Sequence, residues 1–505
     1  MNYTSLIFLL FVTLLMCIYY IFPKKFRWSI LLVGSIFFYY LLSSKYIIYI
    51  IVATLISYIF SLLINKHEKQ KKKLLITSIL LVLSFLLVLK YNNFFISLLN
   101  PFVGLFNINI PFKKFIMPIG ISYYTLDMIA YLSDIYRKKI IPEKNPLKLL
   151  LFFTYFPKII EGPFVRYDSL SKTLFNQNKF NYYNFRNAWV LIGYGFFKKL
   201  VIADRAGIFV DNIFKTQTVG LASLFAIVFY TIQIYCDFSG SIQIITGVSE
   251  LFGVQLPENF KRPFFSKSIQ EFWKRWHITL GEWLKDYIFY PISLSKMNMK
   301  LNLKVRKMKN KYLARFIITA FPLFFVWFLN GFWHGPTWKY IFYGLYYYIL
   351  MMLGLLLKPV FDKTIKLLRI NIKSWYYKSF QIIRTCIIVS LGLLIFRAES
   401  LKQAWVMLTN VFCSSTLKSI VKPGGLNKIE LIILFVSVLL IFIVELIEEH
   451  NINIREKLDK KIFIVRWIVY LFLIFSTIIF GIYGIGYSYK SFIYGGFWWK
   501  IKLNV

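Results

Sequence analysis

FIITAFPLFFVWFLNGFWHGPTW, residues 316–338, runs 23 residues without Lys, Arg, Asp or Glu and carries one histidine, His334, near its end. A helix of about 20 apolar residues crosses a hydrocarbon core, so the stretch reads as a membrane-spanning helix. Its polar exception is what gives it interest. Residues 1–23, 28–44, 46–65, 216–236, 340–357 and 467–489 are uncharged runs of the same kind. Residues 74–100 (broken by Lys90), 115–133 (by Asp127), 187–213, 385–396 and 431–444 are weaker ones. Together they predict an all-α, polytopic integral membrane protein with about 10–12 transmembrane helices plus re-entrant and interfacial helices.

Composition agrees. Of 505 residues, 58% are hydrophobic and 16% charged, proportions foreign to water-soluble domains of this length. Lys and Arg total 61 against 22 Asp and Glu, a net charge of +39. The cations lie in short blocks between apolar runs, which points to membrane lipid headgroups and positive-inside topology, with no nucleic acid as partner. Blocks at 24–27, 65–73 and 137–139 fall on one side if the chain alternates regularly, and that side is expected to be cytoplasmic, with the N-terminus outside. Residues 296–315 form another block expected there, and the C-terminal topology stays open. The first run lacks the basic start and cleavage site of a signal peptide and reads as a retained helix. Cys17, Cys236, Cys386 and Cys413 are scattered, lie mostly in apolar context, suggest neither metal nor disulfide, and read as small buried hydrophobes. No long linker or repeat interrupts the chain, so one membrane domain, 1–505, is expected: N-terminal helices 1–145, a core 146–345 and C-terminal helices 346–505.

Four places hold polar groups that apolar segments resist. His334 is followed by Gly335 and Pro336, which stop the helix where the imidazole is presented, and Asn330 lies one turn earlier on the same face. The same histidine also fits a bond between helices or an interfacial anchor. In residues 270–287, Trp273, Trp276 and Trp283 alternate with Lys274, Arg275 and Lys285 around His277, as in an amphipathic interfacial helix or a site for a phosphorylated ligand. Asp237, beside Ser239, ends an uncharged run and reads first as a cap on the next helix, otherwise as the partner of a base or a ligand of a polar solute. Pro157, Gly162 and Pro163 around Lys158 and Glu161 mark a broken or re-entrant segment, architectural before catalytic.

MPIGISYYTL (117–126), FPKIIEGPFVRY (156–167), IQIYCDFSG (232–240), LPENFKRPFFSKSIQEFWKRWHITLGEWLKDYIFYPI (256–292) and GFWHGPTW (331–338) occur in series. This order resembles the membrane-bound O-acyltransferase family, in its bacterial alginate O-acetyltransferase-like branch. Phe492-Ile493-Tyr494 is similar to the family's aromatic C-terminal signature, although Gly495 and Gly496 follow. The resemblance implies helices around a central tunnel, through which an acyl group passes from a cytoplasmic thioester to a hydroxyl outside. It implies a catalytic role for His334 and an important one for His277. Imidazole, with an ordinary pKa of about 6.5, suits proton removal near neutrality. His334 is thus expected to act as base, with Asn330 or Trp333 orienting it or donating to the oxyanion. Trp273, Lys274, Arg275 and Trp276 are expected on the donor's approach, and Asp237, Ser239, Lys158 and Glu161 to be tunnel or structural polar groups.

These implications lead to O-acetylation of a cell-surface or secreted polysaccharide at the plasma membrane. Acetyl-CoA, or a carrier-protein thioester, is the expected donor, no cofactor or metal is permanently bound, and an extracytoplasmic SGNH-type acetyltransferase is the expected partner. Ser241 stands where the branch has tyrosine, and Ser293 where it has Gly-Gly, departures that bear on the acceptor. D-alanyl transfer to teichoic acid is the nearest alternative. A polar-solute transporter using Asp237 and His334 is another, although no paired breaks in two similar halves support it. A scaffold or scramblase without catalysis is a third.

Overall fold

The computed structural model describes residues 2–113, 115–414, 424–483 and 492–493. Among these there are helices and no strand, apart from one isolated antiparallel bridge between Phe260 and Trp276. The protein is an all-α, multi-pass membrane protein. Eight helical stretches among the described residues are long and apolar enough to cross a membrane, where the apolar runs predict 10 to 12 crossings. One of these stretches, Lys24–Lys66, contains two helices, Arg27–Ser43 and Ile47–Lys66. Leu6–Ile21 is apolar but has only 16 residues. The run at 115–133 folds as Ile121–Tyr136, whose residues from Ile121 to Ile135 are all buried, so protein rather than lipid surrounds it. Tyr494 and the glycines after it lie outside the described residues.

The chain divides into two compact units. The first comprises Met1–Val201, Cys236–Pro257 and Arg455–Val505. Two of its basic blocks meet at one carboxylate, since Glu68 holds both Lys71 (2.6 Å) and Lys138 (3.0 Å). The segment around Lys158 is irregular and buried, and its backbone must find partners inside the protein. Tyr3 donates its hydroxyl to the carbonyls of Phe156 (2.9 Å) and Pro157 (3.0 Å), and Phe156 N–H donates to Ser35 Oγ (3.1 Å). Lys158 forms a buried ion pair with Asp127, and Glu161 is fully buried.

Asp237 is no cap. It lies inside the 31-residue helix Leu221–Leu251 and is 1% exposed. Lys199, from the π-helical turn Phe197–Ala203, reaches its Oδ1 at 2.6 Å, while Ile493 N–H donates to its Oδ2 at 2.6 Å. Lys198 donates to Ser239 Oγ at 3.3 Å. Pairing with a base, the second reading of Asp237, is therefore what the fold uses, because an unpaired carboxylate there would carry a large desolvation cost. The cysteines also differ from expectation: Cys236 is buried, Cys386 half-buried, and Cys17 and Cys413 exposed. Cys17 sits on an apolar helix whose outward residues Leu10, Leu14 and Ile18 are exposed too, so thiol and aliphatic groups share a surface suited to lipid.

Small residues set the helix spacing behind this ion pair. A Cβ on Gly195 would come within 2.6 Å of the Gly240 carbonyl oxygen, and one on Gly240 within 2.9 Å of that of Gly195. Close backbone approach of this kind is how membrane helices gain packing without a hydrophobic driving force between them. Gly240→Val should lower stability by about 1–3 kcal/mol, read as a fall in unfolding temperature in detergent. Gly354→Ala, at a position with open space around it, should leave that temperature unchanged or slightly raised. Equal effects of the two would remove the packing argument.

Candidate active site

The second unit comprises Ile202–Tyr235 and Glu258–Ile454. Within it the helix Lys311–His334 begins on Asn310, whose side chain accepts from the N–H groups of Tyr312 (3.1 Å) and Leu313 (3.0 Å). It ends at His334, where Gly335 is extended, and the chain returns as Trp338–Leu356. The two helices touch through their backbones: a Cβ on Gly331 would strike the Tyr340 carbonyl, and one on Gly344 that of Trp327. This approach packs the end of the first helix against the start of the second. His334 is 8% exposed, with ring centroids 5.1 Å from Phe396, 5.9 Å from Tyr343 and 4.9 Å from Trp333. Asn330 is buried one turn before it.

His277 is positioned by a different device. The expected single helix over 270–287 is broken into Ile269–Arg275 and Ile278–Leu284, because His277 between them has φ +46°, a left-handed conformation uncommon outside glycine. Asn259 holds that conformation. Its Oδ1 accepts from Thr279 N–H (3.2 Å) and Thr279 Oγ1 (2.9 Å) and lies 3.2 Å from His277 Nδ1, while its carbonyl accepts from Ile278 N–H at 3.0 Å. The imidazole is 3% exposed, and burial pushes its pKa down to about 3, so it is neutral at physiological pH.

Both histidines pack on one indole. The Trp333 ring lies 6.1 Å from His277 and 4.9 Å from His334. The structure thus gathers His277, Trp333, His334 and Asn330 in one unit, whereas Lys158, Glu161, Asp237 and Ser239 belong to the other. Of the four residues expected on the donor's approach, Lys274 is exposed. Trp276 is core, 2% exposed among Phe260, Phe264 and Phe272, and Trp273 is half-buried against Trp327 and Tyr347. Arg275 is held by Glu449 (2.8 Å) and Glu271 (2.7 Å), so its charge is already answered.

Three sets of residues escape the reading of the sequence. Asn259 lies inside the motif 256–292, but only the fold brings it to His277. Glu449 binds Arg275 and Arg262 (2.9 Å), which flank the Phe260–Trp276 bridge, and so secures the turn from a helix 174 residues further on. Its signal was an acidic group closing an apolar run. Lys198 and Lys199 were legible as two cations inside an apolar stretch.

His277 links stability to pH. With a folded pKa near 3 and an unfolded value near 6.5, its contribution is fully present above pH 6.5 and is lost as pH falls toward 3. The expected slope is at most about 1.4 kcal/mol per pH unit. Unfolding temperature measured from pH 8 to pH 5 should therefore fall less steeply for His277→Gln than for the wild type; parallel curves would contradict the buried neutral imidazole. Glu449→Gln should cost about 1 kcal/mol, the discounted value of a partly buried ion pair. Glu448→Gln, whose carboxylate lies 3.9 Å from Arg262, should cost less in the same unfolding measurement.

Comparison with known proteins places these features in a lineage. The chain is 31% identical over 331 residues to the probable alginate O-acetylase AlgI of Pseudomonas aeruginosa, covering 65% of this chain and 58% of that protein. It is 30% identical over 291 residues to the peptidoglycan O-acetyltransferase of Helicobacter pylori, covering 51% of this chain and 50% of that one. It is 30% identical over 273 residues to the teichoic acid D-alanyltransferase of Bacillus subtilis, covering 51% and 64%. The matched region thus spans less than two thirds of each relative's length. Residues 31–395 match the profile described as MBOAT, membrane-bound O-acyltransferase family, and with both motif histidines inside that region the chain belongs to this family.

Proposed function

We propose that this protein is a membrane O-acetyltransferase that carries acetyl from a cytoplasmic thioester, acetyl-CoA in the first instance, across the plasma membrane for O-acetylation of a cell-surface or secreted polysaccharide. The observation that carries the reading is the burial of His334 at the end of a membrane-spanning helix, with Trp333 shared between it and His277. In this reading the acceptor hydroxyl gives its proton to His334 as its oxygen bonds to the thioester carbonyl. The C–S bond then breaks, and the proton passes to the departing thiolate. Asn330 or the Trp333 indole donates to the oxyanion between the two events. His277, held neutral by burial, shapes the wall opposite His334 across the indole. The N-terminus lies outside, the basic loops face the cytoplasm, and an extracytoplasmic SGNH-type acetyltransferase completes the transfer to glycan.

A second reading, D-alanyl transfer from a carrier-protein thioester to teichoic acid, is favoured by the likeness to the Bacillus subtilis D-alanyltransferase. Thioester turnover by purified protein, supplied with acetyl-CoA and a membrane fraction, separates the two. Wild-type turnover should fall by about 10²–10⁴-fold in His334→Ala, the usual range for loss of a general base, with folding and donor binding intact. A mutant as active as the wild type would overturn the role of His334. Turnover confined to a carrier-protein thioester would replace acetyl with D-alanyl.

A further inference from the structure

Between Asp286 and Asp362 the chain contains no acidic residue. Within this stretch Arg306, Lys311 and Arg315 line an open cavity of about 320 Å³, together with Met308, Ile318 and Thr319. All three cations are exposed, and among the described residues none has an acidic partner. The nearest acid in the following sequence, Asp362, is engaged by Lys358 (3.3 Å) and Tyr312 (3.5 Å). By contrast, Arg262, Arg275 and Arg397 in the same unit are each paired with a carboxylate.

The cavity also has an apolar wall, and its place in the chain gives that wall a direction. Lys311 and Arg315 stand on the first turns of the membrane-spanning helix Lys311–His334, and Ile318 is one turn deeper. Charge at the rim with the aliphatic Ile318 further along the span complements a phosphate joined to an acyl chain. A free phosphate or a nucleotide would use the rim but not the wall. Guanidinium groups grip phosphate through paired N–H donors, and exposed cations at the start of a span sit at headgroup depth. We propose that this cavity is a discrete binding site for the phosphate headgroup of an anionic phospholipid. The proposal goes beyond acyl transfer and does not depend on it.

Native mass spectrometry on the full-length protein in detergent, titrated with phosphatidylglycerol or phosphatidylcholine, tests it. One variant replaces the cavity cations (Arg306→Gln, Lys311→Gln, Arg315→Gln). A control removes the same number of charges outside the cavity (Lys300→Gln, Lys304→Gln, Lys309→Gln). Matching unfolding temperatures without lipid confirm that both fold. One tight phosphatidylglycerol, absent with phosphatidylcholine, should bind wild type and control, and bind the cavity variant on the order of a hundredfold more weakly, at roughly a factor of five per cation. Equal weakening in both variants would mean a diffuse basic surface and would overturn the site. Displacement of that lipid by millimolar coenzyme A, or by inorganic phosphate, would also overturn it, by assigning the cavity to a soluble phosphate.

Discussion

The backbone contact between the helices Lys311–His334 and Trp338–Leu356 is what the geometry around His334 depends on. Gly331 and Gly344 leave no room for a side chain on either face, so the hairpin closes until Tyr340 and Tyr343 reach the imidazole. A larger residue at either glycine would separate the helices before it altered any polar group. The packing is aromatic throughout. Phe396 from the helix Trp375–Arg397 closes edge-on over the histidine at 5.1 Å, and Lys339 ties the same neighbourhood to the Ala398 carbonyl at 2.8 Å. Such a wall fixes the ring by shape, because edge-to-face contacts prefer one orientation.

Away from that hairpin, the interior holds several ionisable groups as pairs. Lys199 with Asp237 and Lys158 with Asp127 are buried on both sides, and Tyr235 donates to the buried Glu445. A buried pair adds little net stability against an apolar replacement, but removing one partner leaves a charge with nothing to answer it. The pairs therefore specify which segments meet. Asp237 does this twice over, since it takes Lys199 from a π-helical turn and the Ile493 N–H from the end of the chain. The π turn is a means to that end: an extra residue in the helical turn lets both Lys198 and Lys199 point inward.

The helical class, the stop after His334 and the broken segment at Lys158 were legible because each rests on local chemistry: unbroken apolar length, Gly-Pro after a histidine, prolines around a glycine. What escaped depends on contacts distant in sequence. A cap and a buried ion pair present the same isolated aspartate at the end of an apolar run, and only Lys199 distinguishes them. Tryptophans at helical spacing around His277 look like one interfacial helix, yet Trp276 is turned into the core and the chain reverses its backbone sense at the next residue. No periodicity encodes that reversal, because it is imposed by Asn259 from 18 residues upstream.

The setting of His277 is closed to charge. His277 is neutral by burial and sits in a strained turn, so it supplies shape and hydrogen bonding rather than charge. Arg275 beside it is committed to two carboxylates. A phosphorylated donor approaching this segment would therefore meet Lys274 as the exposed cation among the four residues first grouped with it. Recognition built on charge alone would be weak here. The aromatic ring of Trp273 is half-buried against Trp327 and Tyr347 and so belongs to the packing around the segment. The division follows from the fold: the cations that hold the turn together are taken by Glu449 and Glu271, and Lys274 stands outside those pairs.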